Sequence, residues 1–140
     1  MPEAEQNPGF AEAVHESFQR QRFLRMIGAK LIRVVPGEVE IELPVRADLE
    51  QQASSIHGGV ITAIADSACG YAALTLMPAG SDVVSVEFKV NLLAPARGER
   101  FVALGRVLRS GRTLTVCAAD VVAFPGEVTV ATMLGTMMRR

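Results

Sequence analysis

The sequence predicts an α+β domain in which one buried helix is wrapped by a curved antiparallel sheet. Three observations carry this expectation. The stretch from Ser54 to Met77, SSIHGGVITAIADSACGYAALTLM, is apolar or small almost throughout and is helical in length. From Ser81 onward the apolar residues recur with a period of two, and four strand-like runs follow. A helix that is apolar nearly all round must be covered on most sides, and a strongly curved antiparallel sheet is the one element available to cover it.

In chain order, Phe10, Val14, Phe18, Leu24 and Ile27 recur at roughly helical spacing, with Glu12, Glu16, Arg20 and Arg22 on the other face. This predicts an amphipathic N-terminal helix over about residues 9–28, ended by Gly28. The segment KLIRVV-PG-EVEIELPV predicts two short strands around a Pro36-Gly37 turn. RADLEQQASSI is a polar loop, with Ser54 and Ser55 as candidate caps of the central helix. Pro78 and Gly80 stop that helix. In VVSVEFKVNLL, residues Val84, Val86, Phe88, Val90 and Leu92 share one face, and Ser85, Glu87, Lys89 and Asn91 share the other. Three further strands follow, with turns at Pro95 to Gly98, Ser110-Gly111 and Pro125-Gly126.

At 140 residues the chain has the size of one domain, read as residues 1–140. Hydrophobic residues are 49% and charged residues 21%, which supports a core and argues against disorder. A net charge of -1 lacks the basic excess of a nucleic-acid binder. The acidic start MPEAEQNPGF has no apolar leader core. Cys69 and Cys117 lie inside apolar runs and read as reduced core thiols of a cytoplasmic protein. With only His15 and His57 available, no metal site is expected. Nor is the apolar run a membrane span: Asp66 would sit mid-bilayer at a cost of about 2.5–3.5 kcal/mol, and no Lys or Arg closely flanks either end.

The chemistry concentrates in HGGVITAIAD, His57 to Asp66. Gly58 and Gly59 open a helix whose first N–H groups lack intrahelical partners, carry the positive end of the dipole and admit close approach. Such a site suits the oxyanion of acyl transfer, although the same glycines would also permit tight packing against the sheet. Asp66 is a carboxylate in an apolar run, a setting costly for a charge unless it is paired or put to use as a base. Eight residues separate Gly58 from Asp66, about 12 Å along one helix, whereas both groups must reach one substrate at about 3 Å. In a two-fold dimer with antiparallel central helices, Asp66 of one chain approaches Gly58 of the other.

HGGVITAIAD resembles the signature of PaaI-type hotdog-fold acyl-CoA thioesterases, and VSVEFKVNLLAPA and GRVLRSGRTLTV are similar to later segments of that family. The resemblance covers roughly Gly28 to the C-terminus. It implies the hotdog fold, a long central helix wrapped by a curved antiparallel sheet, and hydrolysis of a coenzyme A thioester at a dimer interface, with no cofactor and no metal. By position, Asp66 would be the catalytic carboxylate and the Gly58 N–H, with Gly59, would polarise the carbonyl. His57 would shape the helix entrance and contact the substrate. Gln51 falls where relatives carry Asn or Gln to orient water or carbonyl, and Ser85 falls where a hydroxyl can help hold water. Where some relatives carry a hydroxyl one turn after the carboxylate, this chain has Gly70, and Ser67 does not occupy the same place.

Five arginines, at 97, 100, 106, 109 and 112, stand against one acid, Glu99. Singly they read as charge protecting a sheet edge. As a group they suit coenzyme A phosphates, with Arg109 and Arg112 around Ser110-Gly111 as the first choices. The expected partners are thus an acyl-CoA substrate and a second copy of the chain in a homodimer or dimer of dimers, with neither nucleic acid nor membrane. Phe88, Leu92 and the methionines are candidates for an apolar acyl pocket, which both aryl and medium-chain acyl groups fit. Two other functions compete: hotdog hydratase or dehydratase chemistry, which asks for His paired with an acid, and a non-catalytic acyl-CoA-binding protein.

Overall fold

Proline and glycine punctuate the chain where the sequence places them, and the apolar runs between them become two helices and six strands around a central helix. A computed structural model describes residues 7–140, so most of the acidic opening segment, residues 1–6, lies outside the described residues. The elements are α1 (Phe10–Arg20), α2 (Arg22–Met26), β1 (Lys30–Val35), β2 (Glu38–Pro44), α3 (Gly58–Leu74), β3 (Val83–Leu92), β4 (Arg100–Ser110), β5 (Leu114–Phe124) and β6 (Val128–Arg139). All neighbouring strands pair antiparallel in one sheet of order β1-β2-β4-β5-β6-β3. Strand β3 is therefore an edge.

Helix α3 packs against β2, β4, β5, β6 and β3, five strands in succession. Strands about 4.8 Å apart would span about 19 Å if flat, nearly twice the width of a helix with its side chains. The sheet must curl to reach α3 with all five, as the sequence predicts. The close approach rests on small residues. Ala65, Ala68 and Ala72 are fully buried on the sheet side of α3, and a Cβ at Gly105 of β4 would stand 2.4 Å from the Ala68 backbone. Larger residues fill the rest of the core, among them Ile41, Leu43, Ile61, Ile64 and Phe101.

Four local readings are corrected. The N-terminal helix is two helices, broken at Gln21, whose ψ is 95°. At 100° per residue a straight helix would point Val14 and Ile27 about 140° apart. The break lets α1 bury Val14 while α2 buries Leu24 and the chain buries Ile27 before it ends at Gly28. Second, the cap of α3 is His57 rather than Ser54 or Ser55. Ser54 adopts φ +65°, and Ser55 is buried against Gln51.

Third, α3 is not covered all round: Gly59, Thr62, Ala63, Asp66, Ser67 and Gly70 form a stripe that stays partly or fully open. Asp66 is accordingly half-buried rather than enclosed. Fourth, the strict alternation of β3 breaks at Val86. Ser85 pairs with Met137 and Glu87 with Thr136, so Val86 is an extra residue, a β-bulge that shifts the faces by one. Ser85 thereby shares the α3-facing side with Phe88, Val90 and Leu92 instead of opposing them. Among the described residues, no helix is long and apolar enough to cross a membrane.

Candidate active site: two half-sites on one helix

At the start of α3, His57 turns its side chain back so that Nδ1 accepts the Gly59 N–H at 2.8 Å. That is a side-chain cap, and it consumes the Gly59 donor. The Gly58 N–H has no acceptor among the described residues. Gly58 itself lines a largely apolar cavity of about 360 Å³, with Gln51, Ser55, Ile61, Leu92, Leu93 and Val130 among the other walls. Of the two glycines read as donors, only Gly58 is left open. A Cβ there would meet Leu92 Cδ1 at 2.7 Å, and one on Gly59 would meet His57 Nδ1 at 2.9 Å.

Gln51 lines the same cavity, while its neighbour Gln52 is exposed. The amide of Gln51 braces the loop. Its Nε2 donates to Ser55 Oγ at 2.6 Å, and its Oε1 accepts the Ala53 N–H. Since a primary amide has two N–H donors, one remains for a ligand.

Two turns along α3, Asp66 opens into a second, smaller cavity of about 110 Å³. Ser85 donates its hydroxyl to Asp66 Oδ1 at 2.6 Å, a short charge-assisted bond across from the edge strand. The bulge at Val86 is what aims Ser85 at the helix. One carboxylate oxygen is thus held, and Oδ2 makes no bond among the described residues. Met137, fully buried, packs behind Ser85 with its sulfur 3.4 Å from Oγ. The cysteines are poor nucleophiles here: burial pushes the Cys117 thiol up to about 12 and the Cys69 thiol higher still, with Cys117 and Asp66 as further neighbours.

The structure does not bring Asp66 and Gly58 together within one chain. They line separate cavities that share no residue. Arg109 and Arg112 flank the β4–β5 turn, both exposed and without an ion-pair partner among the described residues. Arg100 and Arg106, by contrast, pair with Glu42 and Asp120 at 3.2 and 3.4 Å. The small residue of the turn has a structural reason, because a Cβ on Gly111 would stand 2.6 Å from the Leu114 carbonyl oxygen. Ser110 shares a row of the sheet with Thr115, Met137 and Ser85, so the turn lies three strand spacings, about 14 Å, from the carboxylate's partner. Phe88, read as an acyl-pocket residue, lines neither cavity and is 41% exposed.

The Asp66 cavity also gathers residues that sequence reasoning missed. Ser17 and Gln21 come from α1 and its break, and Tyr71 comes from α3. Ser17 Oγ and the Tyr71 hydroxyl lie 3.0 Å apart. Tyr71 carried a faint signal as the chain's one tyrosine set among alanines. Ser17 and Gln21 carried none, since only tertiary packing brings α1 onto α3.

The profile of the Thioesterase superfamily matches residues 53–130, a span that contains Gly58, Asp66, Ser85 and the β4–β5 turn. A thioesterase family protein from Silicibacter pomeroyi has a crystal structure similar to this one, with a TM-score of 0.91, 44% identity and coverage of 94% of this chain and 98% of that one. The E. coli PaaI protein from the phenylacetic acid degradation operon superposes with a TM-score of 0.85 at 22% identity, over 94% of this chain and 93% of its own, a likeness of fold. Mouse (Mus musculus) acyl-coenzyme A thioesterase 13 is 28% identical over 64% of this chain and 64% of its own. The chain belongs to the thioesterase superfamily, with the hotdog fold of the PaaI type.

Proposed function

We propose that this protein hydrolyses acyl-CoA thioesters as a two-fold dimer in which each site takes Gly58 from one chain and Asp66 from the other. The observation that carries the reading is the split site: an unpartnered Gly58 N–H in one cavity and a half-bound Asp66 carboxylate in another. The edge strand supplies a way to join them. Ser85 holds Asp66, and Leu92 overlies Gly58, on the same face of β3. If two β3 edges pair antiparallel about a two-fold axis at Lys89, with Phe88 opposite Val90 of the partner subunit and the bulged Val86 and Glu87 counted as one position, Ser85 falls opposite Leu92 of the partner subunit. Asp66 then meets Gly58 of the partner subunit, twice per dimer. The exposed Val86, Phe88 and Leu92 of β3 are covered in the same step.

The chemistry follows from the groups present and uses neither metal nor cofactor. The Gly58 N–H donates to the thioester carbonyl oxygen and stabilises the charge that builds there. Asp66 either takes a proton from the attacking water or attacks the carbonyl itself to form an anhydride that water then cleaves. A C–O bond forms, the C–S bond breaks, and the departing coenzyme A thiolate takes up a proton. Ser85 fixes Asp66 Oδ1 and leaves Oδ2 for the reaction. Gln51 turns its spare N–H toward the carbonyl or water, and His57 keeps Gly59 capped so that the α3 entrance stays open. Arg109 and Arg112, unpaired beside Ser110 and Gly111, hold the phosphates of coenzyme A. Arg suits that task by its forked donors. Mouse acyl-coenzyme A thioesterase 13 supports the choice of acyl-CoA over other esters.

Complementation tests the shared site. Asp66→Ala and Gly58→Pro, the second of which removes the N–H at a helix position that tolerates proline, should each be inactive in release of coenzyme A thiol. Refolded together, half the dimers are mixed, and each mixed dimer has one intact site. About a quarter of wild-type activity per chain should return. Two dimeric parents that exchange subunits and stay inactive would sink the shared-site model.

A further inference from the structure

The Asp66 cavity holds more hydrogen-bonding capacity than hydrolysis needs. Ser17 Oγ and the Tyr71 hydroxyl are 3.0 Å apart, and each carries one proton and acceptor lone pairs. The single bond between them leaves one O–H and several lone pairs unused. The Gln21 side-chain amide, on the same cavity wall, makes no hydrogen bond among the described residues. Tyr71 is only 3% exposed, and its ring is held against Phe18 at 6.1 Å between centroids, so its hydroxyl is fixed in place. None of these groups touches Asp66. They lie beyond it, further along α3.

Gly70 lies between. Its absence of a side chain is not required by packing, because a Cβ there would make only ordinary contacts, 3.9 Å to the Met137 sulfur and 4.0 Å to Val83. Nor is it required by the backbone, which is helical, and helix propensity opposes glycine at such a position. What Gly70 provides is open space one turn after the carboxylate, leading from Asp66 toward Tyr71 and Ser17. Five residues of helix put Tyr71 about 7.5 Å beyond Asp66 along the axis and about 140° around it, and both line the one cavity; the axial step alone takes about six carbon–carbon bonds in a zigzag.

We propose that this cavity receives the end of the acyl group, and that Ser17 and Tyr71 select acyl groups bearing a neutral hydrogen-bonding substituent, such as a hydroxyl, beyond the thioester carbonyl. The proposal rests on the thioesterase reading given above. The charge of the site decides for a neutral group: Asp66 lines the cavity, no Lys or Arg among the described residues does, and the second acid there, Asp82, is already paired with Arg140 at 3.4 Å. A carboxylate at the end of the acyl chain would face the like charge of Asp66. A plain alkyl end would leave the free O–H of the pair without an acceptor.

Three coenzyme A esters of matched length test this with the full-length protein: hexanoyl, 6-hydroxyhexanoyl and adipoyl. The hydroxylated ester should show a kcat/KM about three- to tenfold above hexanoyl-CoA, the range a single neutral hydrogen bond gives, and adipoyl-CoA should fall below both. In the double variant Ser17→Ala/Tyr71→Phe the ratio of hydroxylated to plain ester should fall to about one, with an unchanged circular dichroism spectrum. Turnover of hexanoyl-CoA with no preference for the hydroxylated ester overturns the pocket assignment and leaves the thioesterase reading standing. A preference that survives the double variant, or one that favours adipoyl-CoA, overturns it as well. No turnover of any of the three esters overturns the pocket assignment, and the thioesterase reading is then decided by thiol release from aryl-CoA esters.

Discussion

The two cavities along α3 differ in what they contribute. Around Gly58 the walls are mainly apolar, and the helix end carries an unbonded backbone N–H. Around Asp66 the walls carry hydroxyls, an amide and carboxylates, and the proposed catalytic group is a side chain steadied by a neighbouring strand. The first is fixed by geometry that a glycine permits, and the second by a hydrogen bond that a bulge aims. Damage to the first should therefore depend on whether the N–H survives, and damage to the second on whether the carboxylate is present and oriented.

The sharpest break is at Asp66. Asp66→Ala should lower kcat by about 10²–10⁴, with the fold retained because alanine suits the helix better. Near-normal turnover in a folded variant would remove Asp66 from the reaction. On the other side, Gly58→Pro should cost about 10²–10³ in kcat, as for one oxyanion donor. Gly58→Ala keeps the N–H and displaces only the end of Leu92, so it should cost much less. If alanine and proline prove equally damaging, the backbone donor is not what Gly58 supplies.

Ser85→Ala leaves the carboxylate but frees its Oδ1. A roughly tenfold loss of kcat is expected from one charge-assisted hydrogen bond, with little change in KM. A single turnover in ¹⁸O-labelled water tests for attack by Asp66: label in the Asp66 carboxylate marks an anhydride that water cleaved at the aspartyl carbonyl.

Gly105→Ala tests the scaffold that carries both cavities. The new methyl group would collide with the Ala68 backbone, lift α3 from the sheet and cost about 1–3 kcal/mol by overpacking. Thermal unfolding would register it, and an unchanged Tm would show that the helix and β4 have room to spare. The smallest effect is expected at the periphery. Arg109→Ala and Arg112→Ala should raise KM for full coenzyme A esters severalfold with little change in kcat, and leave a pantetheine thioester unaffected. Equal losses on both substrates would place these arginines elsewhere.

The sequence by itself determined the order of elements, the buried central helix and the pairing of a glycine helix start with a carboxylate two turns on. These are properties of local composition and period: apolar stretches, turns at Pro and Gly, and a fixed rise of 1.5 Å per residue that already separates Gly58 from Asp66. Tertiary structure decided the rest. The bulge at Val86 reversed the expected facing of Ser85, because one extra residue in a strand flips every side chain beyond it. The His57 cap withdrew Gly59 and left Gly58 alone as donor, a choice made by side-chain geometry that spacing does not reveal. The break at Gln21 laid α1 across α3 and put Ser17 beside Tyr71, 54 residues apart in the chain. No local pattern encodes a contact between distant segments, since it exists only once both have packed against the same core.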